Sequence, residues 1–399
     1  MKDEDEKLVL ENSDRVVMND CGDDDIPLDA TASGSILPFK LGDRMKYYEK
    51  HTECFLSNEL PYIVRLDGHS FSKFTKGLCN PFDVRFNEAM NRTSKDVLLH
   101  FGEIDTVYVQ SDEITLFVFP KLKKMRKLGE AASTTDNKEE EVAAEYNDYP
   151  FNGRIQKLVT IYASYVTARF NYHMSKLALI DSNNSYKNTR DNIDDEDTIV
   201  VHYKSGNTVC MYQPNVMDIA CKPLGAKTVR RMTSHVAHFD GRIFQIPNEM
   251  ECLNNLLWRL NYDCIRNSIS KLACFHFSYK QNYKQNSTQK LQMLREEKNV
   301  IWDDLYPPFK YGCILKKEQY TKNATGKNDV GRCIEQEVIR TRIVVLSTKI
   351  EMSKLKESDE YKSKWIHFLK SRYVDEDSKH LFLISLCHTK KEYGDFKTT

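Results

Sequence analysis

IVRLDGHSFSKFTKG, residues 63–77, is the stretch whose reading decides the fold. Tyr62, Ile63, Val64 and Leu66 form an apolar, β-branched run that reads as a buried strand. Asp67 closes the run and Gly68 follows it at once. A second stretch, DTVYVQSDEITLFVF (105–119), repeats the pattern: Val107, Tyr108 and Val109 lead into Gln110-Ser111-Asp112-Glu113, and Ile114 to Phe119 carry a strand onward. Residues 85–99 between them have helical periodicity. A strand, a helix and a hairpin bring Asp67 and Asp112 side by side on one sheet. Two carboxylates at adjacent strand ends make a hard-oxygen site, suited to two divalent cations about 3.5–4 Å apart and to in-line phosphoryl chemistry.

The rest of the chain constrains this reading. Its 399 residues can bury a large core. Lys plus Arg number 58, as do Asp plus Glu, so a nucleic-acid surface has to be a local patch. The eleven cysteines form no C-x-x-C pair. They read as reduced thiols and give a cytoplasmic expectation. His202, Cys210, Cys221, His235 and His238 fit no usual zinc spacing. No apolar run approaches the ~20 residues that span a bilayer, so no membrane association is expected. Eleven acids against three bases in the first thirty residues make residues 1–37 an acidic tail expected to be disordered and unlike a mitochondrial presequence.

Order is expected from residue 38, with a helix over 41–54. Polar insertions are expected at about 121–148, opening on the basic run Lys121 to Lys127, and at 181–198. Ile155, Leu158, Val159, Tyr162, Val166, Phe170 and Met174 recur at helical spacing and predict a helix reaching residue 179. Residues 203–235 read as irregular, 238–247 as a strand that Pro247 ends, and 249–275 as one long helix. A strand over 336–346 and a charged helix over 353–371 fall in a C-terminal extension, 319–399, that follows a 38–318 catalytic domain. Tyr162, Phe170 and Trp258 read as core.

Six motifs, LGDRMKYYE (41–49), LPYIVRLDGHSFSKFTKG (60–77), QSDEITLFVF (110–119), FNGRIQKL (151–158), FDGRIF (239–244) and WRLNYDCIRNSI (258–269), resemble the tRNA-His guanylyltransferase superfamily, enzymes that add nucleotides in the 3′→5′ direction. The resemblance covers roughly residues 41–318, less the insertions. It implies an α+β fold: a ferredoxin-like polymerase- or cyclase-type palm with an antiparallel sheet flanked by helices. In place of the His-Ile-Asn-Asn element of the eukaryotic tRNA-His enzyme stands Ile265-Arg266-Asn267-Ser268. With LGDRMK and FHFSYKQ (275–281), this is similar to the bacterial-type guanylyltransferase-like branch, which implies templated repair of 5′-truncated tRNA. Addition of the −1 guanosine to tRNA-His, an inactive RNA-binding relative and a cyclase are the alternatives.

The resemblance also implies roles. Asp67, Gly68 and Asp112 would hold two Mg²⁺ ions, with Asp67, Asp112 and Glu113 as the catalytic set. His69, Ser70, Phe71, Ser72 and Ser111 would cradle ATP, GTP or another nucleoside triphosphate. Asp83, Arg154, Lys157, Arg242 and Asn267 match further nucleotide-side positions, although the lysine expected at Asn80 is missing. Arg154 and Lys157, one turn apart, are expected to share a helical face at the 5′-end activation site. The implied partners are the 5′ end and acceptor stem of tRNA and nucleoside triphosphates, and the implied assembly is a homotetramer.

Overall fold

The computed structural model describes residues 41–123, 145–182, 200–205, 208–212, 223–327, 333–375 and 378. The acidic tail and most of both polar insertions lie outside them. Residues up to Glu53 form one unit, in which α1 (Leu41–Lys50) is shorter than the expected 41–54; residues from Cys54 onward form the other.

The second unit is built on one repeat. β1 (Tyr62–Gly68) passes through the one-turn α2 (Phe71–Phe74) into α3 (Val84–His100), and a hairpin of β2 (Thr106–Gln110) and β3 (Glu113–Val118) follows. α4 (Ile155–Ser182), β4 (Val200–Ser205), β5 (Thr208–Tyr212) and α5 (Ala226–Thr233) then lead to β6 (Phe239–Gln245). Strands β2, β3, β1 and β6 lie in that spatial order, all antiparallel. With α3 and α4 as the two crossovers, this is the βαββαβ topology of a ferredoxin-like palm.

Period-two alternation divides the side chains. Val64, Leu66, Val107, Val109, Ile114 and Leu116 join Met90, Val97 and Leu98 of α3 and Leu158, Tyr162, Val166 and Phe170 of α4 in one core. Ile63, Tyr108 and Phe117 point to the opposite face, where a second core contains Leu253, Leu256 and Leu257 of α6 (Glu249–Leu257). The chain there does not form one continuous α-helix. A π segment, Trp258–Cys264, separates α6 from α7 (Ile265–His276), and π turns are rare outside functional regions. Trp258 is 50% exposed rather than core, its ring covered by Arg259 at 4.5 Å. Tyr162 and Phe170 are buried as expected.

Beyond α7 come α8 (Tyr279–Asn282), α9 (Ser287–Lys298), α10 (Pro307–Tyr311) and a long hairpin of β7 (Cys313–Lys327) and β8 (Cys333–Ser347). β7 pairs with β2, so the sheet continues through β8 to β4 and β5. Position 319, the expected start of the C-terminal extension, lies inside β7. The charged helix is two, α11 (Met352–Glu357) and α12 (Asp359–Lys370), divided at Ser358, whose side chain caps the second. β9 (Tyr373–Val374) pairs with β7. Lys316 of β7 is buried, and its ammonium donates to the Asp105 carbonyl (3.0 Å), the Thr106 hydroxyl (2.9 Å) and the carbonyls of Leu369 (3.3 Å) and Ser371.

Gly153 shows how the sequence fixes where α4 begins. Its φ is +70°, a region glycine occupies at little cost. A Cβ there would lie 2.9 Å from the Leu56 carbonyl. Gly153→Ala is therefore expected to destabilise the protein by about 1–3 kcal/mol, measured by denaturant unfolding; an unchanged midpoint would show that this turn has room to relax.

Candidate functional site

The register of β1 gathers the acids. Asp67 lies opposite Glu113 of β3 on one side and Asp240 of β6 on the other. The β2–β3 hairpin turns in two residues, Ser111 and Asp112, because Gln110 pairs directly with Glu113. Ser111 takes φ +49°, a left-handed geometry that tightens the turn. The Gly68 amide donates to the Asp112 carbonyl at 3.1 Å, which fastens the hairpin tip to the end of β1. A side chain at Gly68 would meet the Phe71 ring at 2.5 Å. The glycine thus lets the chain turn over a buried aromatic cluster of Phe71, Phe74, Phe86, Phe170 and Phe239.

Crowding of like charges shapes the electrostatics. Burial raises the Asp67 carboxyl above its ordinary pKa; Glu113 and Asp112 add to the rise and Arg65 opposes it. Burial also raises Asp112, against the hydrogen bond from the Ser111 hydroxyl. Among the described residues no three His, Cys, Asp or Glu side chains converge as a closed metal cage. The donors at hand are two carboxylates with a strand-end carbonyl. This set fits Mg²⁺, which keeps much of its coordination for water and substrate phosphates.

Glu113 faces the same way but its oxygens are occupied. It accepts from Arg65 Nε (3.1 Å) and a second, shorter Arg65 bond, from Gln110 (3.3 Å) and from Arg259 (3.3 Å). Arg259 also donates to Asp263 at 2.9 Å, and Asp263 accepts further from Gln110 (3.0 Å), Arg266 (2.7 Å) and Asn267 (3.4 Å). Burial works against the Asp263 charge, yet these bonds hold its pKa below the usual value. Sequence reading missed Arg259 and Asp263, although their i,i+4 opposite charges within WRLNYDC were a visible signal.

Two cavities meet at Asp112. One, of about 270 Å³, is lined by Phe82, Asn87, Gln110, Ser111, Asp112, Glu113, Asn267, Lys271 and Phe309, among others. The other, of about 260 Å³, is lined by Phe71, Ser72, Thr75, Asn80, Pro81, Ser111, Asp112 and Lys271, among others. Asp83 borders both, but its oxygens cap α3 through the Arg85 and Phe86 amides, accept from the Cys79 amide (2.8 Å) and pair with the buried Arg85 guanidinium (2.7 Å). Burial opposes the Asp83 charge, and the bonds from Arg85 and Cys79 keep its pKa lowered nonetheless. Phe71 offers the site only its backbone, since its ring is core. The His69 amide donates to the His238 carbonyl at 3.0 Å, and the two imidazoles stack at 4.9 Å.

Arg242 lies opposite Arg65 across β1–β6, on the Asp67 face of the sheet. Arg154 and Lys157 are elsewhere. Arg154 has extended backbone and precedes α4, so the two do not share a helical face as expected. Arg154 bridges Phe55, Leu56 bonds to Gly153, and Ser57 bonds to Gln245 at the Tyr62 end of the sheet. That end is five residues, or about 17 Å, from Asp67. The Lys157 ammonium sits 4.5 Å from the Phe151 ring centre.

The model of one family, tRNAHis guanylyltransferase, matches residues 42–247. An uncharacterized protein of Acanthamoeba polyphaga mimivirus is 31% identical over 298 residues, covering 74% of this chain and 83% of the other. Among solved structures, a bacterial tRNA(His) guanylyltransferase-like protein in complex with ATP is 26% identical, with a TM-score of 0.48 over 74% of this chain and 91% of that one. The tRNA(His) guanylyltransferase of Saccharomyces cerevisiae is 19% identical, with a TM-score of 0.44 over 69% and 92%.

The raised carboxyls carry a stability consequence. An acid whose folded pKa exceeds its unfolded value holds its proton more tightly when folded, so its contribution to stability falls as pH rises through the folded pKa. Asp112→Asn is therefore expected to stabilise the ligand-free protein at neutral pH, by less than about 1 kcal/mol because water reaches the site. The gain should vanish as pH falls to the ordinary carboxylate range. Thermal unfolding at neutral and acid pH measures it; a loss of stability at neutral pH would show that Asp112's bonds outweigh the repulsion.

Proposed function

Because the chain belongs to the tRNAHis guanylyltransferase family, we propose that it is a template-directed 3′→5′ nucleotidyltransferase that rebuilds the 5′ ends of truncated tRNAs. The observation that carries the reading is the fastening of Asp112 to the end of β1 beside Asp67, with two cavities bordering Asp112. A reaction that joins two nucleotides needs room for both, and Asp112 borders both cavities while Asp67 lines neither. In this reading the 3′-hydroxyl of an incoming nucleoside triphosphate attacks the phosphorus at the RNA 5′ end. A P–O bond forms, and pyrophosphate departs from a 5′-triphosphate, or AMP from an end first adenylylated by ATP.

Asp67, Asp112 and the Gly68 carbonyl would hold two Mg²⁺ ions, whose chemistry when bound is to acidify the attacking hydroxyl and screen the phosphate charge. Asp67 and Asp112 supply the negative field that attracts them. Glu113 keeps Arg65 and Arg259 fixed beside the acids, a supporting part rather than a ligand's, because its oxygens are already engaged. Ser111 and Lys271 border both cavities, Asn267 the first and Ser72 the second. Arg242 adds positive charge on the Asp67 face. Arg154 and Lys157 would engage the 5′ end of the RNA away from the acids.

Specificity follows from the chemistry of templating. Pairing with the opposite strand selects the nucleotide, so the protein needs to grip only RNA shape and phosphates. Ile265-Arg266-Asn267-Ser268, in place of a His-Ile-Asn-Asn element, supports this over dedicated recognition of tRNA-His. The compartment is expected to be the cytoplasm and the assembly a homotetramer.

Incubation of the purified protein with 5′-truncated and full-length tRNAs and each nucleoside triphosphate tests the proposal. Several truncated tRNAs should be extended at similar rates, with the added base following the template, and Asp67→Ala or Asp112→Ala should cut the rate at least about a thousandfold. Action on tRNA-His alone, adding G whatever base lies opposite, would instead make this a tRNA-His guanylyltransferase. Arg154→Ala and Lys157→Ala should each slow activation of a 5′-monophosphate more than extension from a 5′-triphosphate; equal losses would assign them to general RNA binding.

A further inference from the structure

The helix that brings Asn267 and Lys271 to the cavity beside Asp112, α7, ends at His276; Phe277 and Ser278 are extended, and the one-turn α8 follows. Asn267, Lys271, Phe275, Tyr279 and Tyr283 recur every four residues. The first two line the cavity. The last three are aromatic and exposed, at 53%, 81% and 56%. Exposed rings gathered in one short segment make a candidate contact surface.

The platform is rigid. Ser278 and Gln281 form a capping box that starts α8. The buried Asn282 amide donates to the carbonyls of Ala273 (3.3 Å), Phe277 (3.1 Å) and Ser278 (3.2 Å), which fastens α8 to the end of α7. The Tyr279 and Tyr283 rings stand 5.9 Å apart, tilted by 43°, and the Lys284 ammonium lies 5.4 Å from the Tyr283 ring centre.

Charge selects the partner. From Cys264 to Arg295 the chain has no Asp or Glu, while Arg266, Lys271, Lys280, Lys284, Lys290 and Arg295 are all basic. In a chain whose net charge is zero, this is a concentrated basic segment. Lysines interleaved with exposed tyrosines suit a polyanion whose repeating units have flat faces, which is single-stranded nucleic acid. We propose that the series from Lys271 through Phe275 to Tyr279 and Tyr283 is a track for a single-stranded RNA segment leaving the site, its bases stacked on the rings and its phosphates on Lys280 and Lys284. The inference rests on RNA being the substrate. It assigns the track to the strand opposite the growing 5′ end, whose unpaired 3′ tail must leave the cavity.

The test compares binding, with no nucleoside triphosphate present, of a labelled RNA duplex with a single-stranded 3′ overhang and the same duplex blunt, by fluorescence anisotropy. Wild type should prefer the overhang. Tyr279→Ala with Tyr283→Ala should weaken overhang binding at least about tenfold, the loss expected from one or two unstacked bases, and leave the blunt duplex unchanged. Tyr279→Phe with Tyr283→Phe should retain the preference. Lys280→Ala with Lys284→Ala should lower the slope of log affinity against log salt by roughly 1.4. Equal affinity of wild type for the two duplexes would overturn the track even if nucleotides are added. An overhang preference without nucleotide addition would instead overturn only the proposed reaction. If the alanine pair changes the mass in light scattering while RNA affinity holds, the rings form an interface between protein copies and the proposal fails.

Discussion

The arrangement of this molecule turns on the register of β1 between β3 and β6. That register places three acids abreast, Glu113, Asp67 and Asp240, with Asp112 bonded in at the hairpin tip. Like charges directly opposite across strands are destabilising. A sheet that sets them together is held by the burial around it: the apolar layer under α3 and α4 and the second core on the other face. The cost is localised at one end of the sheet, where the proposed cations would relieve it.

The basic side chains follow the same logic. Arg65 and Arg259 converge on Glu113, so one carboxylate anchors two guanidiniums from different elements, and Asp263 steadies the second of them. Buried or half-buried ion pairs of this kind are weak sources of stability and better understood as devices that fix geometry. The π segment supplies the means. It turns Arg259 and Asp263 toward the sheet while Trp258 and Tyr262 remain outside.

Much of this was legible in the chain. The strand runs before Asp67 and Asp112 and the helix between them follow from periods of two and 3.6, and α4 runs close to its expected span, whereas α5 falls in the stretch 203–235 that reads as irregular. What escaped the sequence has identifiable causes. Asp83 reads as a nucleotide ligand until Arg85, two residues on, is seen to occupy both its oxygens. Trp258 reads as core because π geometry shifts the helical phase by which burial is judged. Arg154 and Lys157 read as one helical face because the start of α4 was placed before Arg154 rather than after it. β4, β5 and the pairing of β7 with β2 are long-range contacts, to which local periodicity is blind.

Lys316 gives the sheet a further property. Its ammonium is fully enclosed and shared between the start of β2, through Asp105 and Thr106, and the end of α12, through Leu369 and Ser371. Burial lowers its pKa to about 7, and an enclosed amine, charged or neutral, cannot lose half its acceptors cheaply. The end of α12 and the start of β2 are thus tied at one atom. This contact joins the segment matched by the family model, residues 42–247, to the segment that follows it.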